Sequence, residues 1–360
     1  PMLEEQLNQL YEGYGYRKFR MSKFEDYDLY AQNKDFLKRG HIITFTDVDG
    51  SLKALKPDIT LSIIKNNSGD SEKVYYNENV YREMGGTFKE ILQVGVESVG
   101  QIDPYAEAEV IALAAKSLEI LSEDYVLDLS DVSFIRCLLG GMNLSQGDQE
   151  QALALIAQKN APGIQAMADR GILSAQDAQA IQELMGIYAP LKEGIAQAGR
   201  LARDNQSWEI LRQLSVTASM LEAFGLNGRI RLDFSLVNSM DYYNGVIFQG
   251  FLPNIPFPAL SGGRYDNLPR KMGKQVGAIG FALYMGRLEQ YFSQERQYDA
   301  EVLLTYGPDA DLAKLAAFAE QIRAKGCTVR CEREMGPSAP VRCRTKVRYY
   351  DGLRPEEVSL

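Results

Sequence analysis

Apolar positions recur along the chain with two periods, and the changes of period mark its organisation. Leu3, Leu7, Leu10 and Tyr11 fall on one helical stripe, so residues 3–12 read as a helix that Gly13 and Gly15 end. The period then shortens. Tyr16–Tyr30 starts as a strand and becomes a polar aromatic segment. Ile42–Thr46 is a β-branched strand, Asp47-Val-Asp-Gly50 a turn and Leu52–Leu55 the returning arm. Pro57 suits the first turn of a helix over Ile59–Lys65, where its missing N–H costs nothing. Lys73–Tyr76 and Asn79–Arg82 form a strand, Met84-Gly-Gly-Thr87 turns the chain, and Phe88–Glu97 runs back.

From about Pro104 the pattern becomes helical and rich in Ala, Leu, Glu and Gln. Helices are expected over 105–121, 132–139, 148–159, 162–170 and 175–188, with one long helix over about 194–224 and a short strand at 125–129. Ser174-Ala-Gln-Asp177 resembles a capping box, and Trp208 reads as a packing residue of this helical part. The stretch 104–225 carries no catalytic constellation and reads as a helical insertion between two halves of a sheet domain. Strands resume at Ile230–Phe234, at Val246–Phe251 and at Val276–Leu283, the last followed by a helix over Tyr284–Tyr291. A polar linker at 295–299 leads to a βαβ unit: strand 300–306, helix 310–325, strand 327–332. Residues 336–360 read as a partly ordered tail, with Arg342, Arg344, Lys346 and Arg348 alternating on a solvated strand edge. The resulting division is 1–297 for an α+β sheet domain and 298–360 for a small α/β domain.

Composition narrows the function. The 360 residues are enough for two or three domains, and a net charge of −9 argues against a protein whose main task is holding nucleic acid. No apolar run is long enough to span a bilayer and no signal segment opens the chain. The chain starts at Pro1 close to a helix, so a few native residues are expected to precede it. Cys137, Cys327, Cys331 and Cys343 match no zinc spacing and read as reduced thiols of a cytosolic protein. His41 is the only histidine, so a histidine-rich metal site is excluded; it reads as a surface residue.

Polar groups with chemical potential gather around Asn238–Asp266. Tyr242 and Tyr243 precede one strand, a loop with Pro253, Pro256 and Pro258 follows, and a second strand runs into Gly262-Gly-Arg-Tyr-Asp266. The stretch reads either as the floor of a small-molecule pocket or as a hairpin with Tyr and Arg on its solvent face. Asp58 and Thr60 stand at a helix start, where capping explains them and contact with an amine would explain them equally. Gln93, Gly95 and Glu97 share one strand face. They either clamp an ammonium and an imidazole or point to water. The glycine-studded strand 276–283 suggests a backbone pressed against a ligand or a neighbour. No phosphate-cradling glycine loop is present.

Leu55-Lys-Pro-Asp-Ile-Thr60, Asp241-Tyr-Tyr243 and Gly262-Gly-Arg-Tyr-Asp266, in that order, resemble the class II aminoacyl-tRNA synthetase catalytic domain, specifically its histidyl branch. The resemblance covers about residues 5–295, with a shortened relative of the anticodon-binding domain behind. It implies an antiparallel sheet flanked by helices and a histidine pocket. In it Asp58 and Thr60 meet the amino group, while Gln93, Glu97, Tyr242 and Tyr243 surround carboxylate and imidazole. Arg82 matches the arginine of the second class II motif, and Tyr265 joins the site through its motif. The departures concern ATP activation. Asn238 stands where the family has an arginine and Ser239 where it has a glycine. The loop of the second motif is contracted to Glu83–Thr87. Gly286 replaces a glutamate beside the retained Arg287, Tyr284 a glycine, and Ser22 the first motif's proline. This pattern resembles the ATP phosphoribosyltransferase regulatory subunits, synthetase paralogues of histidine biosynthesis that lack aminoacylation. It implies a cytoplasmic, non-catalytic subunit with no cofactor, a homodimer through its synthetase-like domain. It also implies assembly with a short-form catalytic subunit and feedback by histidine, with neither membrane nor tRNA as partner. The alternatives are a histidyl-tRNA synthetase with a degenerate site and a free-standing histidine-binding module.

Overall fold

The computed structural model describes residues 2–37, 41–226, 228–237, 242–292, 298–334, 341–355 and 358. Helix α1 (Met2–Gly13) leads into β1 (Arg17–Lys18), β2 (Phe24–Asp26) and α2 (Tyr27–Gln32). Then come β3 (Thr44–Thr46), β4 (Leu52–Leu55), α3 (Thr60–Asn66) and the long strands β5 (Glu72–Met84) and β6 (Thr87–Gly100). The helix-rich part holds α4 (Pro104–Leu121), β7 (Val126–Asp131), α5 (Val132–Gly140), α6 (Gln146–Ala157), α7 (Ala161–Asp169), α8 (Ala175–Gly186), β8 (Tyr188–Pro190), α9 (Leu191–Gly199) and α10 (Asn205–Ala223). β9 (Ile230–Asp233), β10 (Val246–Phe251), β11 (Leu260–Arg264), α11 (Asn267–Lys271), β12 (Gly277–Leu283) and α12 (Met285–Phe292) follow. The chain closes with β13 (Ala300–Tyr306), α13 (Leu312–Arg323), β14 (Val329–Arg333) and β15 (Cys343–Tyr349).

The chain divides into two compact units, residues 1–291 and 292–360. The first is an α+β unit on a nine-stranded sheet in the order β1-β5-β6-β12-β11-β10-β7-β9-β8. Neighbours are antiparallel except β1 with β5 and β7 with β9. Its packing helix is α4. Asp103 accepts the Ala106 N–H and Pro104 starts the first turn, so the N-terminus is capped as the sequence requires. The run Ala108–Ala115 and Leu118 is then buried almost all round, the mark of a helix inside a core rather than on a surface. Gly250 on β10 makes room for this helix: a Cβ there would meet Leu118 Cδ1 at 2.4 Å. A separate three-stranded sheet, β2-β4-β3, stands before α3.

Several expectations change. Residues 104–225 are mostly helical, yet they supply β7, a strand inside the large sheet, and β8 at its edge. The single long helix over 194–224 is two helices. α9 stops at Gly199, and Asp204 with Ser207 forms a reciprocal capping box that starts α10 afresh. Trp208 packs within the helical part as expected, its ring edge against Gly199 of α9, but at 55% exposure it lies outside the buried core. In the second unit β13 lies between β14 and β15, parallel to both. Residues 343–349, expected within an irregular tail, are thus a strand, and Arg344, Lys346 and Arg348 do alternate outward from it. The four cysteines are unpaired, and no helix among the described residues is long and apolar enough to cross a membrane.

Candidate functional site

The site is built on β6, where Glu97 sits opposite Gly280 of β12. A Cβ on Gly280 would lie 1.8 Å from Glu97 Oε2, so only glycine leaves room for the carboxylate to lie across the sheet. Thr60 donates its hydroxyl to Glu97 Oε1 at 2.9 Å from the first turn of α3. Tyr265, just past β11, donates its own to Oε2. Both carboxylate oxygens are therefore engaged by donors, and Glu97 is 2% exposed. Burial pushes its pKa up to about 8 against the pull of those two hydrogen bonds, and the charge of Asp58 adds to the rise. Gln93 is buried on the same strand face, so the reading in which this face points to water is overturned.

Aromatic rings wall the same region. Tyr242 packs edge-on against Tyr243 at 4.8 Å between centroids, tilts against Tyr265 at 5.4 Å and meets Phe36 edge-on at 5.9 Å. Tyr243 lies over Gly263, where a Cβ would come 2.8 Å from its ring. The paired glycines of Gly262-Gly263 thus bring the backbone up to an aromatic wall. Burial holds the hydroxyls of Tyr242, Tyr243 and Tyr265 well above their usual range, so all three stay protonated donors.

Asp58 does what capping predicts: its Oδ1 accepts the Leu61 N–H at 3.0 Å. Its Oδ2 is 3.7 Å from Arg82 Nη2, while Arg82 Nε donates to the Pro57 carbonyl at 2.6 Å. Arg82 therefore braces the turn that presents Asp58 and Thr60. The structure joins Thr60, Glu97 and Tyr265 directly and sets Tyr242 and Tyr243 beside them. Arg82 and Asp58 form a pair at the flank, and Gln93 lies along β6. Asn238, Ser239 and Asp241 lie outside the described residues.

Residue patterns missed three features. Tyr76 is buried on the same sheet face as Gln93 and Glu97, its hydroxyl donating to the Phe281 carbonyl at 3.3 Å, and a Cβ on Gly95 would strike it. Lys56, within the Leu-Lys-Pro-Asp motif, is fully buried with Nζ 3.6 Å from Glu78, and burial lowers its pKa. Arg264, Asp266, Asn244 and Glu107 form a charged run behind the tyrosines. Only strand alternation, which turns Arg264 away from Tyr265, was a signal for the last. Two shallow grooves of about 450 and 610 Å³ lie elsewhere, along α10 and between α9 and α10.

No group of His, Cys, Asp and Glu among the described residues could hold a metal ion. The site instead offers a buried carboxylate, protonated phenols, an amide and a flanking Asp–Arg pair, a set suited to a small zwitterion with a polar ring. A family model described as histidyl-tRNA synthetase matches residues 2–288. An ATP phosphoribosyltransferase regulatory subunit of Acetivibrio thermocellus is 28% identical over 291 residues, 78% of this chain and 69% of that one. A solved ATP phosphoribosyltransferase regulatory subunit/histidyl-tRNA synthetase from Bacillus halodurans superposes with a TM-score of 0.79 at 22% identity, over 96% of this chain and 92% of that one. A chain of the ATP phosphoribosyl transferase complex of Thermotoga maritima gives 0.64 at 17% identity, over 79% and 96%.

Proposed function

The chain belongs to the histidyl-tRNA synthetase family, and we propose that within it this protein is the non-catalytic regulatory subunit of an ATP phosphoribosyltransferase, the first step of histidine biosynthesis. Histidine binds in the pocket around Glu97 and adjusts a reaction carried out on another chain. One observation carries this reading. The buried set Thr60, Glu97 and Tyr265 is fully assembled, while the neighbouring hairpin closes with no loop to fold over a nucleotide. β5 and β6 are joined by Gly85-Gly86 alone, both at positive φ, with Met84 paired to Thr87. Position 286 points the same way: a Cβ on Gly286 would be 2.7 Å from the Leu92 nitrogen, so no acidic side chain fits there. Arg287 stacks on Phe257 at 3.8 Å. The relatives named as regulatory subunits support the same assignment.

In this reading the ligand's ammonium meets Asp58 and Thr60, and its imidazole lies between Glu97 and Tyr242, Tyr243 and Tyr265. Gln93 and Arg82 serve the carboxylate. The subunit pairs with a second copy through its synthetase-like part and assembles with a short catalytic subunit in the cytoplasm, taking neither cofactor nor tRNA. Because coupling between two binding sites is reciprocal, histidine weakens the active arrangement by the factor with which that arrangement weakens histidine. The second reading, a histidyl-tRNA synthetase, is favoured by the completeness of the pocket. Histidine-dependent ATP–pyrophosphate exchange separates them. The proposal expects none, together with co-purification and activation of a short phosphoribosyltransferase subunit; robust exchange would overturn it.

A further inference from the structure

Behind the tyrosine wall runs a chain of charged side chains that histidine binding does not use. Arg264 and Tyr265 are successive, so they face opposite ways from the strand. Tyr265 reaches Glu97, and Arg264 lies along Gly245, where a Cβ would come 3.1 Å from Arg264 Cδ. Arg264 Nε donates to Asp266 Oδ2 at 2.9 Å, and Nη1 is 3.6 Å from Glu107 Oε2. Asp266 and Asn244 bond reciprocally. Asn244 Nδ2 donates to Asp266 Oδ2 at 3.2 Å, and the Asp266 N–H donates to Asn244 Oδ1 at 2.7 Å. The Asn244 N–H donates to the Arg264 carbonyl at 2.9 Å. Asp266 Oδ1 also accepts the Ala278 N–H at 3.0 Å, which ties the run to β12. Asn244 directly follows Tyr243. At the other end Glu107, in the first turn of α4, accepts the Thr217 hydroxyl of α10 at 3.2 Å.

We propose that Arg264 is the positioning residue of this pocket: through Asp266 and Asn244 it fixes the Tyr242–Tyr243 wall, and through Glu107 it couples that wall to helix α10. The inference rests on the histidine reading of the site. The carboxylates of this run are largely buried while the Arg264 side chain is half-buried; such a pair contributes little to stability compared with apolar packing, and its best-supported use is to select one arrangement. Here the arrangement is specific. Asn244 is held at three points, its carbonyl takes the Ser133 hydroxyl at 3.1 Å, and the next carbonyl, Gly245, takes the Val132 N–H at 3.0 Å. The turn carrying the two tyrosines has little freedom left while Asp266 stays in place, and Arg264 holds Asp266. Glu107 faces the carboxylate of Asp131 from β7, the guanidinium of Arg264 from β11 and the hydroxyl of Thr217 from α10. The guanidinium is the one cation among these groups, so displacing it leaves carboxylates facing one another. A ligand that shifts the tyrosines therefore shifts the position of Arg264 that α10 senses through Glu107.

Trp208 is the only tryptophan and stands in the first turn of α10, so its emission reports on that helix. The test titrates histidine into the full chain by calorimetry and by Trp208 fluorescence, with thermal melts alongside. Arg264→Met should weaken histidine by about tenfold, the loss expected for one charge-assisted hydrogen bond, and Arg264→Lys should recover part of it. Thr217→Val is close to isosteric. It should leave histidine affinity within about threefold, a change of under 1 kcal/mol, and abolish the histidine-induced change in Trp208 emission expected of the unaltered chain. Unchanged affinity in Arg264→Met, a Trp208 response that survives in Thr217→Val, or no response in an unaltered chain that binds histidine each overturns the proposal. No histidine heat from the unaltered chain defeats the histidine reading itself, and the inference with it.

Discussion

Glu97 concentrates what the site can do. Its two oxygens take hydroxyl hydrogens from Thr60 and Tyr265, and burial still raises its pKa to about 8. A positive ligand group beside it would favour the ionised carboxylate and draw that pKa back down. Glu97→Ala and Tyr243→Ala should each abolish the heat of histidine binding in calorimetry; unchanged affinity would place the pocket elsewhere. The same carboxyl sets a pH dependence. Folded Glu97 holds its proton up to about 8, and Glu107 does so up to about 7, whereas the unfolded chain releases both near 4.5. The folded state therefore binds more protons between those limits, and stability falls as pH rises from about 5 to 8. Thermal midpoints measured across that range should decline, and Glu97→Gln, which cannot ionise, should flatten the decline. A midpoint that rises with pH would contradict the assignment. Glu97 and Gln93 were legible as one strand face because a strand's period is two. The opposing Gly280 was not, since the register of β6 against β12 is set by long-range pairing that no local pattern encodes.

Elements divide in the same way between what is local and what is not. The β5–β6 hairpin was readable because Gly85-Gly86 is the residue pair that a two-residue turn with positive φ demands. The break between α9 and α10 was not read, because apolar periodicity runs on across Gly199 and Asp204 while the capping box interrupts the backbone. Asp204→Ala removes that cap and should cost roughly 0.5–2 kcal/mol, read as a lower urea midpoint. α11 is five residues long and its apolar spacing is too short to register as a period. The glycine-studded strand had a reading as backbone pressed against a ligand or a neighbour, and β12 shows the neighbour at two positions, Gly277 against Asp266 and Gly280 against Glu97. Gly280→Ala would put a methyl into the Glu97 carboxylate. It should abolish histidine binding while leaving far-UV circular dichroism intact; retained affinity would mean the carboxylate has another resting place.

For the molecule as a whole, three motifs in order were enough to give the class II architecture, because each motif carries residues of one site and fixes where the sheet must bring them together. Composition was a poorer guide to partition. The Ala- and Leu-rich stretch looked like a separate insertion, yet it contributes β7 inside the large sheet, and α4 supplies the core beneath it. An inserted strand with one apolar face reads locally like any connector between helices. The second unit has its own small core of Val302, Leu304, Leu315, Phe318 and Ile322. All eight candidate site residues, and the Arg264 run behind them, fall within residues 1–291. Their supporting clusters are also confined to that unit. A chain ending at Tyr291 should therefore fold and bind histidine within about threefold of the full chain, since under 1 kcal/mol of binding energy is at stake. Calorimetry on the shortened chain checks this. Loss of binding with a melt that stays cooperative would overturn the prediction.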